Sequence, residues 1–209
     1  MTIDEIMRIS PVIPVLVIDE AIDPVLLAET LVGAGLPVIE VTLRTPGALA
    51  AMRAMATVEG AVVGAGTVLN ERMLGEAVDA GAKFIVSPGL TEPLGRAAIA
   101  SGIPYLPGVV TAADIMRGLD LGLDRFKFFP AEAAGGLPAL KALSGPFGDV
   151  RFCPTGGIRL DSASLWLAHP SVLCVGGSWV LQPGETDLAT IGARARTAAA
   201  LSAGHRAPA

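Results

Sequence analysis

Short apolar runs begin near Val12, Pro37, Ala61, Lys83, Pro104, Arg125, Arg151 and Val172, eight in all, and return at intervals of roughly two dozen residues. Each is too short for a buried helix and is rich in Val, Ile or Phe. Each is followed by turn residues and then an Ala/Leu-rich stretch with helical character. Expected helix starts pair a capping side chain with Pro or Glu, at Asp23-Pro24, Thr45-Pro46, Asn70-Glu71 and Thr91-Glu92-Pro93. Expected helix ends carry glycine, at Gly35, Gly60, Gly81, Gly102 and Gly122. Alternating strands and helices demand right-handed crossovers and a parallel sheet, and eight such units close most economically on themselves. The expectation is therefore an eight-stranded parallel (β/α)8 TIM barrel, a single domain over residues 1–209. An open doubly wound sheet is the alternative; it usually shows Gly-x-Gly-x-x-Gly after the first strand, where this chain has Ile18-Asp19-Glu20-Ala21. Residues before Val12 are expected to form a short helix under the barrel, and those after Ala203 to fray.

Composition narrows the chemistry. With 209 residues, 52% of them hydrophobic and 17% charged, the chain suits one well-buried core. No apolar run approaches the ~20 residues needed to span a bilayer, so no membrane association is expected. The opening Met1-Thr2-Ile3-Asp4-Glu5 does not resemble a secretory signal, and the expected location is cytoplasmic. A net charge of -5 and a pI near 5.0 offer no footprint for nucleic acid. Cys153 and Cys174 fit no metal-ligand spacing and are expected as buried thiols in a reducing compartment. Only His169 and His205 are present, which leaves little material for a histidine base or a histidine-bound metal. No metal and no cofactor is expected.

Strand parity then singles out charged residues. In the second run Ile39, Val41 and Leu43 share one face, while Val38, Glu40, Thr42 and Arg44 share the other. An inward face bearing Glu40 and Arg44 is costly unless the charges are paired or solvated, so the two form either a structural ion pair or part of a site. In the sixth run Phe126 and Phe128 share one face, and Arg125, Lys127 and Phe129 share the other. The chain has three lysines; Lys83 stands at the start of its strand and Lys141 in a helical stretch, whereas Lys127 is mid-strand among phenylalanines. Removal from water disfavours an ammonium, and the neutral amine is the nucleophile that attacks carbonyl carbon. The bland reading is a lysine reaching to the barrel mouth. After the seventh and eighth runs stand Thr155-Gly156-Gly157 and Gly176-Gly177-Ser178, at the positions where such barrels frequently bind phosphate through backbone N–H groups. Gly64-Ala65-Gly66-Thr67, after the third run, offers a hydroxyl and a compact turn.

The segments Glu40-Val41-Thr42-Leu43-Arg44-Thr45, Val63-Gly64-Ala65-Gly66-Thr67-Val68-Leu69, Ser87-Pro88-Gly89-Leu90, Phe126-Lys127-Phe128-Phe129-Pro130-Ala131-Glu132, Arg151-Phe152-Cys153-Pro154-Thr155-Gly156-Gly157-Ile158 and Val175-Gly176-Gly177-Ser178-Trp179 cover nearly the whole chain. Together they resemble the 2-keto-3-deoxy-6-phosphogluconate aldolases. The resemblance implies a class I aldolase of the Entner–Doudoroff pathway, also credited with cleaving 4-hydroxy-2-oxoglutarate, acting on a small-molecule keto acid as a homotrimer of eight-fold barrels. Carried over motif by motif, Lys127 forms the imine, Glu40 is the general acid/base, Arg44 and Thr67 hold the pyruvate carboxylate, and Gly156, Gly157 and Ser178 bind phosphate. The related galactonate-series aldolases commonly have Asn where this chain has Arg44. Ala134 departs from the polar residue that relatives often carry there.

Three alternatives stay open on the residues themselves. Glu132, five residues beyond Lys127, is a rival base. A phosphate-binding isomerase or epimerase would need a carboxylate but no desolvated lysine. A sugar-phosphate sensor would keep the glycine pairs without the Glu40, Arg44 and Lys127 set.

Overall fold

Every one of the eight apolar runs forms strand, but the fifth is cut in two by Pro107. The computed structural model describes residues 1–19 and 21–201. The tail after Ala203, with His205, and Glu20 within the Ile18–Ala21 turn lie outside the described residues. The strands are β1 (Val12–Leu16), β2 (Val38–Thr42), β3 (Val62–Gly66), β4 (Ile85–Val86), β5 (Tyr105–Leu106), β6 (Gly108–Val109), β7 (Arg125–Phe128), β8 (Arg151–Pro154) and β9 (Val175–Gly177). Helix α1 (Ile3–Ile9) precedes them. Between and after them run α2 (Pro24–Gly33), α3 (Ala48–Met55), α4 (Glu71–Asp79), α5 (Glu92–Ser101), α6 (Ala112–Asp120), α7 (Gly136–Ser144), α8 (Leu160–Leu167) and α9 (Leu188–Ala199).

The strands do not close into the single eight-stranded barrel expected from the repeat. Among the described residues they form a six-stranded sheet in the order β5-β4-β3-β2-β1-β9 and a three-stranded sheet in the order β6-β7-β8, with every pair parallel. The architecture is a related α/β barrel built from two sheets. One break lies at Pro107, which has no N–H to give to a ladder. Before it, Leu106 O accepts from Ser87 N in the β4 direction; at it, Pro107 O accepts from Lys127 N at 2.9 Å, so the chain changes partner. Gly108 is squeezed there, since a Cβ on it would lie 2.2 Å from Pro88 O. The other break lies between β8 and β9, which are joined by the isolated bridges Phe152↔Val172 and Thr155↔Gly176 rather than by a continuous ladder.

Parity sorts the core into two layers, as the sequence pattern requires. Ile39, Val41, Phe126 and Phe128 belong to the outer cluster that packs against the helices. Val38, Phe84, Leu106 and Cys153 belong to an inner cluster, closed from below by Ile6 and Met7 of α1. Helix α1 forms under the sheets as expected, started by a reciprocal capping box between Thr2 and Glu5. Burying a side chain such as Ile6 contributes roughly 1.5–3 kcal/mol, so Ile6→Asp would reverse the term that docks this helix.

Local start signals hold unevenly. Asp23 caps α2 ahead of Pro24, and Asn70 accepts from Met73 N at the head of α4. Thr91 stands at the cap position of α5 without a side-chain cap bond. Thr45-Pro46 starts no helix: α3 begins at Ala48, and Thr45 Oγ1 instead donates to Ile18 O at 2.8 Å, tying two loops together. Gly102 ends α5 in the left-handed region (φ 71°), where a side chain would be strained.

Candidate active site

Lys127 and Glu40 meet in the interior, although they lie in different sheets. Lys127 Nζ donates to Glu40 Oε1 at 3.0 Å and to Oε2 at 3.3 Å. Both residues are almost wholly removed from solvent, at 5% and 3% exposure. Lys83 and Lys141 are exposed, which leaves Lys127 as the buried lysine. Its ammonium position sits 5.4 Å from the centre of the Phe129 ring. Burial keeps solvent away from both groups, and Glu40 supplies a partner for charge. The contact sets an amine and a carboxylate within hydrogen-bond reach of each other, the spacing that proton transfer between them requires.

Arg44 lies beyond the strand on which it was expected. β2 ends at Thr42, whose Oγ1 donates to Leu16 O at 2.7 Å, and the chain then turns, with Arg44 N donating to Thr42 O. Arg44 is consequently exposed at the mouth, solvated rather than buried. Its Nε donates to Thr67 Oγ1 at 3.1 Å, which pairs the two residues proposed for one carboxylate. Thr67 is the non-glycine residue with positive φ (61°) among the described residues. A β-branched residue in that region is a true outlier, with a cost of roughly 1–2 kcal/mol. Its hydroxyl, immediately past the end of β3, is the one that accepts from Arg44.

The two glycine turns lie side by side, because the Thr155↔Gly176 bridge aligns the ends of β8 and β9. Gly156 and Gly157 both have positive φ, 102° and 79°, a conformation that turns backbone N–H groups together without a side chain in the way. Ser178 follows β9 in an exposed turn that opens no helix, since α9 begins only at Leu188. Glu132 faces elsewhere: its N–H donates to Gly156 O at 3.0 Å, and its carboxylate accepts from Trp166 Nε1 at 3.1 Å. A cleft of 580 Å3 beside the Arg44 turn is lined by Ile18, Ile22, Thr45, Pro46 and Ala50 and includes neither Lys127 nor Glu40. Cys153 and Cys174 are buried and form no disulfide.

Sequence parity places Phe129 on the Lys127 face without suggesting its stacking role. It also passes over Gly66, whose inward position on β3 follows the same alternation.

A buried lysine touching a carboxylate, with an arginine–hydroxyl pair just past the ends of β2 and β3 of an α/β barrel, is an arrangement suited to carbonyl chemistry. Residues 3–194 match the family model "Aldolase: KDPG and KHG aldolase". A 2-dehydro-3-deoxy-phosphogluconate aldolase of Zymomonas mobilis is 60% identical over 198 residues, covering 95% of each chain. A KHG/KDPG aldolase of Escherichia coli K12 is 51% identical, covering 90% of this chain and 91% of its own. The crystal structure of a KDPG aldolase from Legionella pneumophila, with pyruvate captured at low pH as a covalent carbinolamine intermediate, superposes with a TM-score of 0.91 at 44% identity, covering 95% of this chain and 98% of that one. The chain belongs to the KDPG and KHG aldolase family, and is an aldolase, a carbon–carbon lyase.

Proposed function

We propose that this chain is a class I aldolase that cleaves 2-keto-3-deoxy-6-phosphogluconate to pyruvate and glyceraldehyde 3-phosphate, and 4-hydroxy-2-oxoglutarate to pyruvate and glyoxylate. The observation that carries the proposal is the buried 3.0 Å contact between Lys127 Nζ and Glu40 Oε1. Lys127 passes a proton to Glu40 and attacks the C2 carbonyl; Glu40 returns a proton as the carbinolamine loses water. The resulting iminium draws electrons. Glu40 then takes the C4 hydroxyl proton, the C3–C4 bond breaks, and its electron pair enters the iminium to form an enamine as the aldehyde leaves. Protonation of the enamine carbon by Glu40 and hydrolysis of the imine release pyruvate and restore the amine.

Arg44 and Thr67 grip the pyruvyl carboxylate, where a guanidinium offers two parallel charge-assisted bonds. Gly156, Gly157 and Ser178 bind the phosphate of the longer substrate. The described fold works as one domain, in a cytoplasmic homotrimer serving the Entner–Doudoroff pathway. Reaction with pyruvate and sodium borohydride, followed by peptide mass spectrometry, tests the central claim. The expected product is a reduced pyruvyl adduct on the peptide containing Lys127. An unmodified Lys127 in enzyme that still turns over would refute it.

A further inference from the structure

The inward face of β3 is nearly empty. Parity aims Val62, Gly64 and Gly66 inward, and two of these three have no side chain. Gly64 makes room for the inner core, since a Cβ there would lie 2.5 Å from the Phe84 ring. Gly66 makes room for something else: a Cβ on it would lie 2.2 Å from Glu40 Oε1, 2.7 Å from its Cγ and 2.8 Å from its Cδ. The register pairs Glu40 with Gly64 and Thr42 with Gly66, so the Glu40 side chain reaches along the neighbouring strand into the space a Cβ of Gly66 would take. Gly66 is in the strand and not in the left-handed region, so its backbone would accept other residues. Space alone demands glycine here.

We infer that Gly66 is a positioning residue, whose missing Cβ is the seat that holds the Glu40 carboxylate against Lys127 Nζ. The inference rests on the reading of Glu40 as the proton carrier. Among the described residues, the hydrogen bonds given to the carboxylate come from Lys127. Once Nζ is bound into an iminium it has lost donors, and the wall of β3 is what keeps the carboxylate in place for the later proton transfers.

Ordinary contact for a Cβ begins at 3.4 Å, so Gly66→Ala must drive the carboxylate away by the difference from 2.2 Å, 1.2 Å. Misplacement by about 1 Å costs about 100-fold in rate. Steady-state kinetics with 2-keto-3-deoxy-6-phosphogluconate should therefore show kcat of Gly66→Ala lowered about 100-fold, with KM changed by less than about threefold, because the carboxylate-binding side chains of Arg44 and Thr67 are both retained. Glu40→Asp withdraws the carboxylate by one methylene, so the added Cβ meets less. In that background Gly66→Ala should cost at least about tenfold less than in the parent. Gly75→Ala, a helical position where a Cβ meets nothing within 4 Å, should match the parent and serves as the control. A loss of the same factor in both backgrounds, or no loss in the parent, would overturn the inference. If Gly66→Ala folds poorly, thermal midpoints decide: adding Glu40→Ala must restore folding, and failure to restore it is equally fatal. Unchanged turnover in Glu40→Gln would instead remove the proton-carrier role while leaving the steric rescue intact.

Discussion

Replacing Lys127 with methionine keeps a long apolar chain in the interior but removes the cation from a buried pair. At 3.0 Å, and with an effective dielectric constant near 20, the attraction between unit charges is about 5–6 kcal/mol. Withdrawing the two groups from water costs several kcal/mol each, so the intact pair is close to balanced as a stability term. Losing one partner is not balanced, because Glu40 stays 3% exposed with its carboxylate stranded. Lys127→Met should lower the unfolding free energy by about 3–5 kcal/mol. The double variant Lys127→Met/Glu40→Met removes both charges and should return to within about 1 kcal/mol of the parent, or exceed it. Urea unfolding of the parent, the single and the double variants measures this, provided the m-values agree. A single variant as stable as the parent would mean that the pair is not held dry. A double variant as unstable as the single would mean that packing, not the stranded charge, sets the loss.

Glu40→Gln should lower kcat by about 10²–10⁴, whereas Glu132→Gln should leave the pH–rate profile unchanged, since Glu132 is bonded to Trp166; the opposite pattern in stopped-flow assays would exchange their roles. Thr67→Gly relieves a left-handed cost of about 1–2 kcal/mol but loosens the unfolded chain by about 0.5–1 kcal/mol. Its stability should stay within about 1 kcal/mol of the parent while KM for the keto acid rises. Tyr105, the one tyrosine of the chain, has its hydroxyl pushed up from 10.0 to about 12, chiefly by burial, with the Ser87 hydrogen bond opposing. Its raised folded value means that the neutral ring's contribution is complete below pH 10.0, falls as pH rises, and is gone above about 12. Tyrosinate absorbance in folded protein should therefore appear near the upper value, and Tyr105→Phe should flatten the loss of stability across that window.

Alternation along short strands is local, so the sequence by itself determined which residues face inward: Val38, Glu40 and Lys127 on one side, Ile39, Val41, Phe126 and Phe128 on the other. It also determined the eight strand-forming runs and the family, because both are written in residue order. Tertiary structure decided how the runs join. Pro107 splits the fifth run, and the partner change there goes with a close approach of the Pro88 backbone to Gly108, between segments distant in sequence. That is why a regular repeat suggested one closed barrel where two sheets stand. Tertiary structure also decided that Arg44 clears the strand to meet Thr67, that Glu132 turns to Trp166, and that Gly66 lies under Glu40. Each of these depends on which atoms fill a shared volume, and period and composition carry no record of that.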